Sequence, residues 1–535
     1  MLNLLIKNTT IIDGSGKKAF IGSVGTENGK ITLLPADTTA TAERVIDGTG
    51  LYTTPGFIDS HSHGDISLGR EYSSLCKISQ GITTQVTGMC GFSLFPVTEK
   101  NWELWRENCG LFLSQDDFPK EMPTFTSPKA YFDYADQLHF PENVRILMGL
   151  GAIHCAIMGD ENREPTASEL EKMKDYMRNA MEAGAGGLSS GLVYVPCIYE
   201  QPPAILELCK IVAEYNGVYA THMRDESTKS LTALEEAIDV ARKTGVRVII
   251  SHHKLQGKAC WGWSEKTLDM IDKANAEGLS ISCDQYPYTA CMSLITDCCP
   301  PWYYSNGLAG IVAYLKDPEK RAKIRKECYD PDGGYENFFL NSGGWEGVFI
   351  SASEKLPEAQ GKSIAQFAKE QGMDPFDAYC EIMIKNNAIG SAIYHTMCDE
   401  DLERIALSKY TGIGTDGLLR SRYDKAHPRA FGAFPHAICE FVKKRKLMSL
   451  EELVRKMTSF TAERYHIANK GLIQEGYDAD LLVFDYDKLE DKATYLDPTL
   501  LCEGFKQVIV NGVVVYENQE LTGANPGVLL RYHGK

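Results

Sequence analysis

The sequence has no run approaching the roughly 20 apolar residues that a membrane span needs, so no spanning segment is expected. Its start, MLNLLIKNTTIIDGSGKK, lacks a basic stretch followed by the apolar core of a secretion signal. Positive charge is also short. With 55 Lys and Arg against 72 Asp and Glu, the formal net charge of −17 offers nucleic acid or an anionic membrane no general attraction, though a local basic pocket for a small anion remains compatible with it. No Gly-x-Gly-x-x-Gly turn follows the first strand of the mixed region, which argues against dinucleotide binding. No nucleophile elbow or phosphate-binding loop is read either, so acyl-serine and phosphoryl-transfer chemistry lack support. The 16 cysteines form no C-x-x-C pair and no framework spacing. Reduced thiols in a cytoplasm are therefore expected, with the adjacent Cys298 and Cys299 read as inert.

What is present is an ordinary globular composition, 43% hydrophobic and 24% charged, in a chain of 535 residues that exceeds a single usual core. Short strands and turns fill both ends: NLLIKNTTII, KITLLP and RVIDGTG at the start, ADLLVFD, QVIV and VVVYEN at the end. Asn511-Gly512 between the last two is a strong hairpin signal. Chain ends within one domain often lie close together, so residues 1–54 and 470–535 are expected to form one small discontinuous β-sandwich domain.

Between them, strand-like and helical patterns alternate over 55–469, which implies parallel strands with crossover helices. Eight runs qualify as strands: GFIDSH, TTQVTG, VRILMG, GGLSSG, VYATH, RVIISH, LSISCDQ and TGIGTD. The expected fold is α/β, a (β/α)8 TIM-type barrel, with an insertion after strand seven at about 296–350. GSAIYHTM fits no barrel position. Ser168 with Glu171 and Ser449 with Glu452 have the spacing of capping boxes at helix starts.

Several of the eight runs end in, or are followed by, a residue able to hold a metal or a proton. His61 and His63, alternate residues after the first run, project together. Cys90 follows the second run, His222 ends the fifth, His252 the sixth and Asp416 the eighth. In a parallel barrel those ends share one face. Each alone has a dull reading as a core histidine, a buried thiol or a helix cap; together they suit Zn²⁺, which accepts imidazole, thiolate and carboxylate. His253 would point away and is assigned to structure. Zinc lowers the pKa of bound water to about 7 and polarises a neighbouring carbonyl, and Asp416 could move the proton, so amide hydrolysis is the natural reaction.

The motifs PGFIDSHSHGD, GITTQVTGMCGFS, YATHMRDE, ISHHK, DQYPYTA, GIGTDG and HPRAFGAFP resemble the N-acyl-D-amino-acid deacylases, the D-aminoacylases of the amidohydrolase superfamily. The resemblance implies a tight zinc on Cys90, His222 and His252, with His61 and His63 holding a second, weaker metal or only shaping the site. It also implies Asp416 as general base and then acid, and Lys254, Tyr286 and Arg429 on the carboxylate of a small N-acyl-D-amino-acid substrate. A structural ion pair is the competing reading for Lys254 and Arg429. Three departures from the family pattern stand out: Met292 where a serine is usual, Gly149-Leu150 with His154 in place of a Gly-His and Arg pair, and Arg420 and Arg422, which would favour a second acidic group on the substrate. A cyclic-amide hydrolase is the second reading, weakened by Cys90 and the lack of a strand-four lysine. A non-catalytic scaffold is the third, weakened because every ligand position is filled.

Overall fold

Short, buried strands of β-branched and small residues line up in parallel: β1 (Phe57–Asp59), β2 (Ile82–Thr87), β3 (Asn143–Ile146, resumed at Met148–Gly149), β4 (Gly187–Gly191), β5 (Val218–His222), β6 (Arg247–Ile250), β7 (Ile281–Gln285) and β8 (Thr411–Ile413). Each run expected from the sequence forms one of them. They are seen in a computed structural model that describes residues 1–110, 124–304, 307–417 and 426–534. Successive strands pair in chain order. The ring closes where Ser60 N donates to Ile413 O, Asp416 N donates to His61 O at 2.8 Å, and Ser62 bridges Gly417 in parallel. This is the eight-stranded barrel, with helices such as Ala167–Ala183, Pro202–Glu214 and Ser230–Thr244 as crossovers.

Two helix starts differ from expectation. The capping box of Ala167–Ala183 is Thr166 with Glu169, not Ser168 with Glu171, because Arg163 grips the Glu169 carboxylate at 2.7 and 2.8 Å from the incoming chain. Ser449 accepts from Glu452 N at 3.1 Å, but the Glu452 carboxylate turns to Arg455, so only half of that box forms.

Both chain ends enter one nine-stranded sheet, joined where Tyr52–Pro55 pairs antiparallel with Leu481–Phe484. Asn28-Gly29 and Asn511-Gly512 turn its hairpins with both residues at positive φ, the tight geometry Asn-Gly favours. From Gly527 the chain leaves this sheet: Val144 N donates to Val528 O and Tyr532 N to Gly184 O, so the last residues run across the N-terminal ends of β3 and β4.

The excursion between β7 and β8 is wider than 296–350. It holds a three-stranded antiparallel sheet of Cys291–Leu294, Ser391–Tyr394 and Val348–Ala352, and the run left without a place, GSAIYHTM, is its central strand. Buried along its whole length, that strand shows no alternation to betray it. Among the described residues no helix is long and apolar enough to cross a membrane.

A buried ion pair locks the closure. Asp59 Oδ2 accepts from Lys77 Nζ at 2.8 Å and from Thr415 Oγ1 at 2.6 Å, while Oδ1 accepts from Thr415 N at 2.8 Å and His61 N at 3.2 Å. Lys77→Met leaves Asp59 buried and uncompensated and is expected to cost about 3–5 kcal/mol. A lowered denaturant midpoint, partly recovered when Asp59→Asn is added, is the expected result; an unchanged midpoint would remove the pair from the closure.

Candidate metal centre

The barrel brings the strand-end residues to one place, and three of them need unusual backbone to get there. Cys90, His252 and Asp416 have φ of 52°, 36° and 46°, left-handed values that non-glycine residues adopt at a cost and that turn each side chain inward just past its strand. Neighbouring small residues make room: a Cβ on Gly191 would lie 2.3 Å from Cys90 O. Ser189 on β4 steadies the same turn, donating to Gly88 O and accepting from Gly91 N. Gly187–Gly191 has Gly-x-Ser-x-Gly spacing that the sequence reading passes over. Its Ser189 is a buried strand residue bonded to backbone rather than an exposed elbow nucleophile.

Cys90 Sγ lies 3.3 Å from His61 Nε2, 3.4 Å from His252 Nε2 and 4.0 Å from His222 Nδ1. Asp416 Oδ1 sits 3.2 Å from His63 Nε2 and 3.5 Å from His61 Nε2. The donor atoms of His61, His63 and Cys90, of Cys90, His222 and His252, and of His61, His252 and Asp416 fall within 4.8 Å of one another. Zn–S and Zn–N bonds of 2.3 and about 2.1 Å at a tetrahedral angle would separate S and N by about 3.6 Å, so the Cys90 spacings match ligands sharing one cation. Burial pushes the Cys90 thiol up and the His222 and His252 imidazoles well below their ordinary value. The imidazoles are thus neutral and ready to bind, and the thiol needs a cation to ionise.

Behind this layer stand two carboxylates that sequence reasoning missed. Glu226 faces both strand-end histidines: Oε1 is 3.1 Å from His252 Nδ1 and Oε2 is 3.4 Å from His222 Nε2. One carboxylate thereby faces the outer nitrogen of each ring, within hydrogen-bond range only at His252 Nδ1, while the inner ones, His252 Nε2 and His222 Nδ1, face Cys90. Asp284 accepts from His252 N at 2.7 Å and lies 3.4 Å from His61 Nδ1. Their signal was the second acid of MRDE and the acid that opens DQYPY, beside residues chosen for other roles.

Lys254 makes an ion pair, the competing reading for it. Its ammonium is 2.6 Å from Glu226 Oε2 and 2.7 Å from His252 Nδ1, because Glu226 would otherwise be a buried charge with no cation. Arg429 is buried, pairs with Asp416 Oδ2 at 2.9 Å and lies over the Tyr286 ring at 4.6 Å. The Tyr286 hydroxyl and Arg429 Nε have no hydrogen-bond partner. Burial would raise Asp416, but Arg429 and the histidines hold it well below the usual carboxylate range. His154 is taken up by Glu200 at 2.7 Å, and Met292 by the insertion sheet. His253 is buried with neither ring nitrogen bonded. Arg420 and Arg422 lie outside the described residues.

Two outcomes follow from this layering. Glu226→Gln should weaken divalent-metal affinity about 10–100-fold in chelator competition, since the outer partner of two ligand rings loses its charge; unchanged affinity would show the rings to be held by packing alone. Zinc binding near neutral pH should release protons, because the raised Cys90 thiol must ionise. The binding enthalpy would then vary with the ionisation enthalpy of the buffer, and no variation would take the thiol out of the ligand set.

Comparison with known proteins agrees with this geometry. The amidohydrolase family profile matches residues 401–516. A D-aminoacylase of Alcaligenes xylosoxydans xylosoxydans is 33% identical over 531 residues, 99% of this chain and 97% of its own length. An N-acyl-D-aspartate deacylase of the same organism is 32% identical over 530 residues, 99% and 95% of the two chains. The structure of N-acyl-D-glutamate deacylase from Bordetella bronchiseptica, solved with zinc and a phosphonate mimic of the tetrahedral intermediate, superposes with a TM-score of 0.84 at 30% identity and covers 99% of each chain. Identity at this level along the whole chain places the protein in the D-aminoacylase family of amidohydrolases.

Proposed function

We propose that this chain hydrolyses the amide bond of N-acyl-D-amino acids, releasing a carboxylate and a free D-amino acid, with zinc held by Cys90, His222 and His252. His61 and His63 would hold a second, weaker metal beside it. The observation that carries the reading is a thiol ringed by imidazoles at ligand spacing, with the Asp416 carboxylate 3.2–3.5 Å from two of the site's histidines. Bound zinc would supply an acidified water and polarise the scissile carbonyl.

The protein's own groups account for the rest. Asp416 is ionised and faces the cluster, placed to take a proton and return it to the leaving nitrogen. Arg429 and the open Tyr286 hydroxyl offer a cation and a donor side by side for the substrate carboxylate. A carboxylate arriving there competes with Asp416 for Arg429, so substrate binding itself makes Asp416 more basic. The D preference rests on the relatives, a D-aminoacylase and an N-acyl-D-aspartate deacylase. A cyclic-amide hydrolase would need the strand-four lysine that Gly187–Gly191 does not contain.

The test is amino-acid release from matched N-acetyl-D and N-acetyl-L substrates by the zinc-loaded chain. Release from the D series is expected, lost in Cys90→Ala together with the tight zinc. Asp416→Asn should keep that zinc and lose about 10²–10⁴ in kcat, the usual share of a general acid–base. Release from the L series alone, or full activity in Asp416→Asn, would overturn the assignment.

A further inference from the structure

A cavity of about 390 Å³ opens beside the metal cluster. Its inner wall includes Tyr194, whose ring is 5.0 Å from that of His222, and Glu336, whose carboxylate lies within 4.8 Å of the His222 and Glu226 donor atoms. Its flanks are apolar, with Val193, Val195, Ile198, Leu294 and Leu308 among them.

The charge in this cavity is lopsided. Among its described lining residues, Glu107, Asp160, Asp225, Glu236, Asp297 and Glu336 face only two bases, Arg224 and Lys229. Arg224 is spent on a two-pronged pair with Glu236 at 2.9 and 3.0 Å, and Lys229 is exposed to solvent. Asp225 is satisfied by Ser227 and by Lys229 N. Glu336 is different: it is 5% exposed, yet neither carboxylate oxygen has a hydrogen-bond partner. Burial and the neighbouring Asp225 and Glu226 push Glu336 well above the usual carboxylate range, and a buried acid left open is costly unless something supplies donors.

A second metal ion is a poor candidate for that role. His222 turns Nδ1 toward Cys90 and leaves its Nε2 3.4 Å from Glu226 without a hydrogen bond, and Glu226 is already taken up by Lys254 at 2.6 Å and Gln256 at 3.0 Å. An organic cation on an apolar stem fits both the flanks and the open acid.

We infer that this cavity receives the substrate's side chain and selects one ending in a cationic nitrogen, as in N-acyl lysine or ornithine, with Glu336 as the determinant that also excludes acidic side chains. The inference rests on the deacylase reading and narrows it. It sets this chain apart from the N-acyl-D-aspartate deacylase that is 32% identical to it, named for a substrate with an anionic side chain.

The experiment compares kcat/KM of the zinc-loaded full chain on N-acetyl-D-lysine, N-acetyl-D-norleucine and N-acetyl-D-glutamate, in the natural protein and in Glu336→Gln. Binding of the free amino acids D-lysine and D-glutamate is measured calorimetrically in parallel. Lysine should exceed norleucine by about tenfold or more, the scale of one charge-assisted hydrogen bond, with glutamate lowest. In Glu336→Gln the lysine-to-norleucine ratio should fall toward one. Taking the ratio cancels any general loss from a disturbed fold. Equal rates on lysine and norleucine, a preference for glutamate, or an unchanged ratio in the variant would overturn the inference while leaving the deacylase reading intact. No release from any substrate would overturn that reading instead, and D-lysine binding that weakens in Glu336→Gln would still uphold the cavity assignment. Loss of one zinc equivalent in the variant would overturn it by assigning Glu336 to a metal.

Discussion

Closure of β8 onto β1 is the constraint from which the rest of the molecule takes its geometry. Two strands more than 350 residues apart are held by the Asp416 N to His61 O bond and by Asp59, which gathers Lys77, Thr415 and His61 N around one carboxylate. The position of Asp416 relative to His61 and His63 is a direct product of that seam. A slip there would shift the proposed proton-handling group against the proposed metal ligands, and effects of 1 Å in such positions are large. The barrel is therefore more than a container: its last joint sets the distance between Asp416 and the two histidines of β1's end.

The same economy appears in how charge is buried. Nearly every ionised group near the centre is matched locally: Lys254 with Glu226, Arg429 with Asp416, Lys77 with Asp59. Such pairs contribute little net stability, because desolvation consumes most of the attraction, but they fix orientation. Glu226 shows the benefit. By facing the outer nitrogens of two imidazoles it helps set how the rings are turned toward Cys90. The backbone contributes in the same sense, since the positive φ at Cys90, His252 and Asp416 stores strain at the three turns that present inward side chains.

The barrel was legible in the sequence because each strand is a short apolar run with a helical pattern after it, and the clustering of His61, His63, Cys90, His222, His252 and Asp416 because they stand at or just past strand ends. Residues acting through a neighbour were not. Glu226 and Asp284 sit in strand-end motifs but touch the ligand rings only because the barrel folds them there, and no spacing encodes that contact. Lys254 could be read for its charge but not for its partner. The insertion was misjudged for a different reason: Ser391–Tyr394 is covered on both faces, and its register depends on strands 43 and 97 residues earlier, counting from Val348 and Leu294 to Ser391. Nor does a capping pattern say which of two nearby boxes a helix uses; Arg163 decides that for Ala167–Ala183.

The insertion explains how one chemistry can serve different substrates in this fold. The groups proposed to handle zinc, proton and amide are carried by the barrel and tied together through its closing seam. Leu294, Leu308 and Glu336 come from the excursion between β7 and β8, whose Phe338, Phe339, Trp345 and Tyr379 join a core shared with Phe57 and Ile82 of the barrel and Leu482 and Phe484 of the small sheet. Its side chains can change without touching Cys90, His222 or His252. Glu336 reaches within 4.8 Å of His222 from that separate element, so discrimination is delivered next to the reacting bond by a part of the chain that carries none of the chemistry. A fold with its specificity in the insertion and its catalysis in the ring can vary one while the other stays fixed.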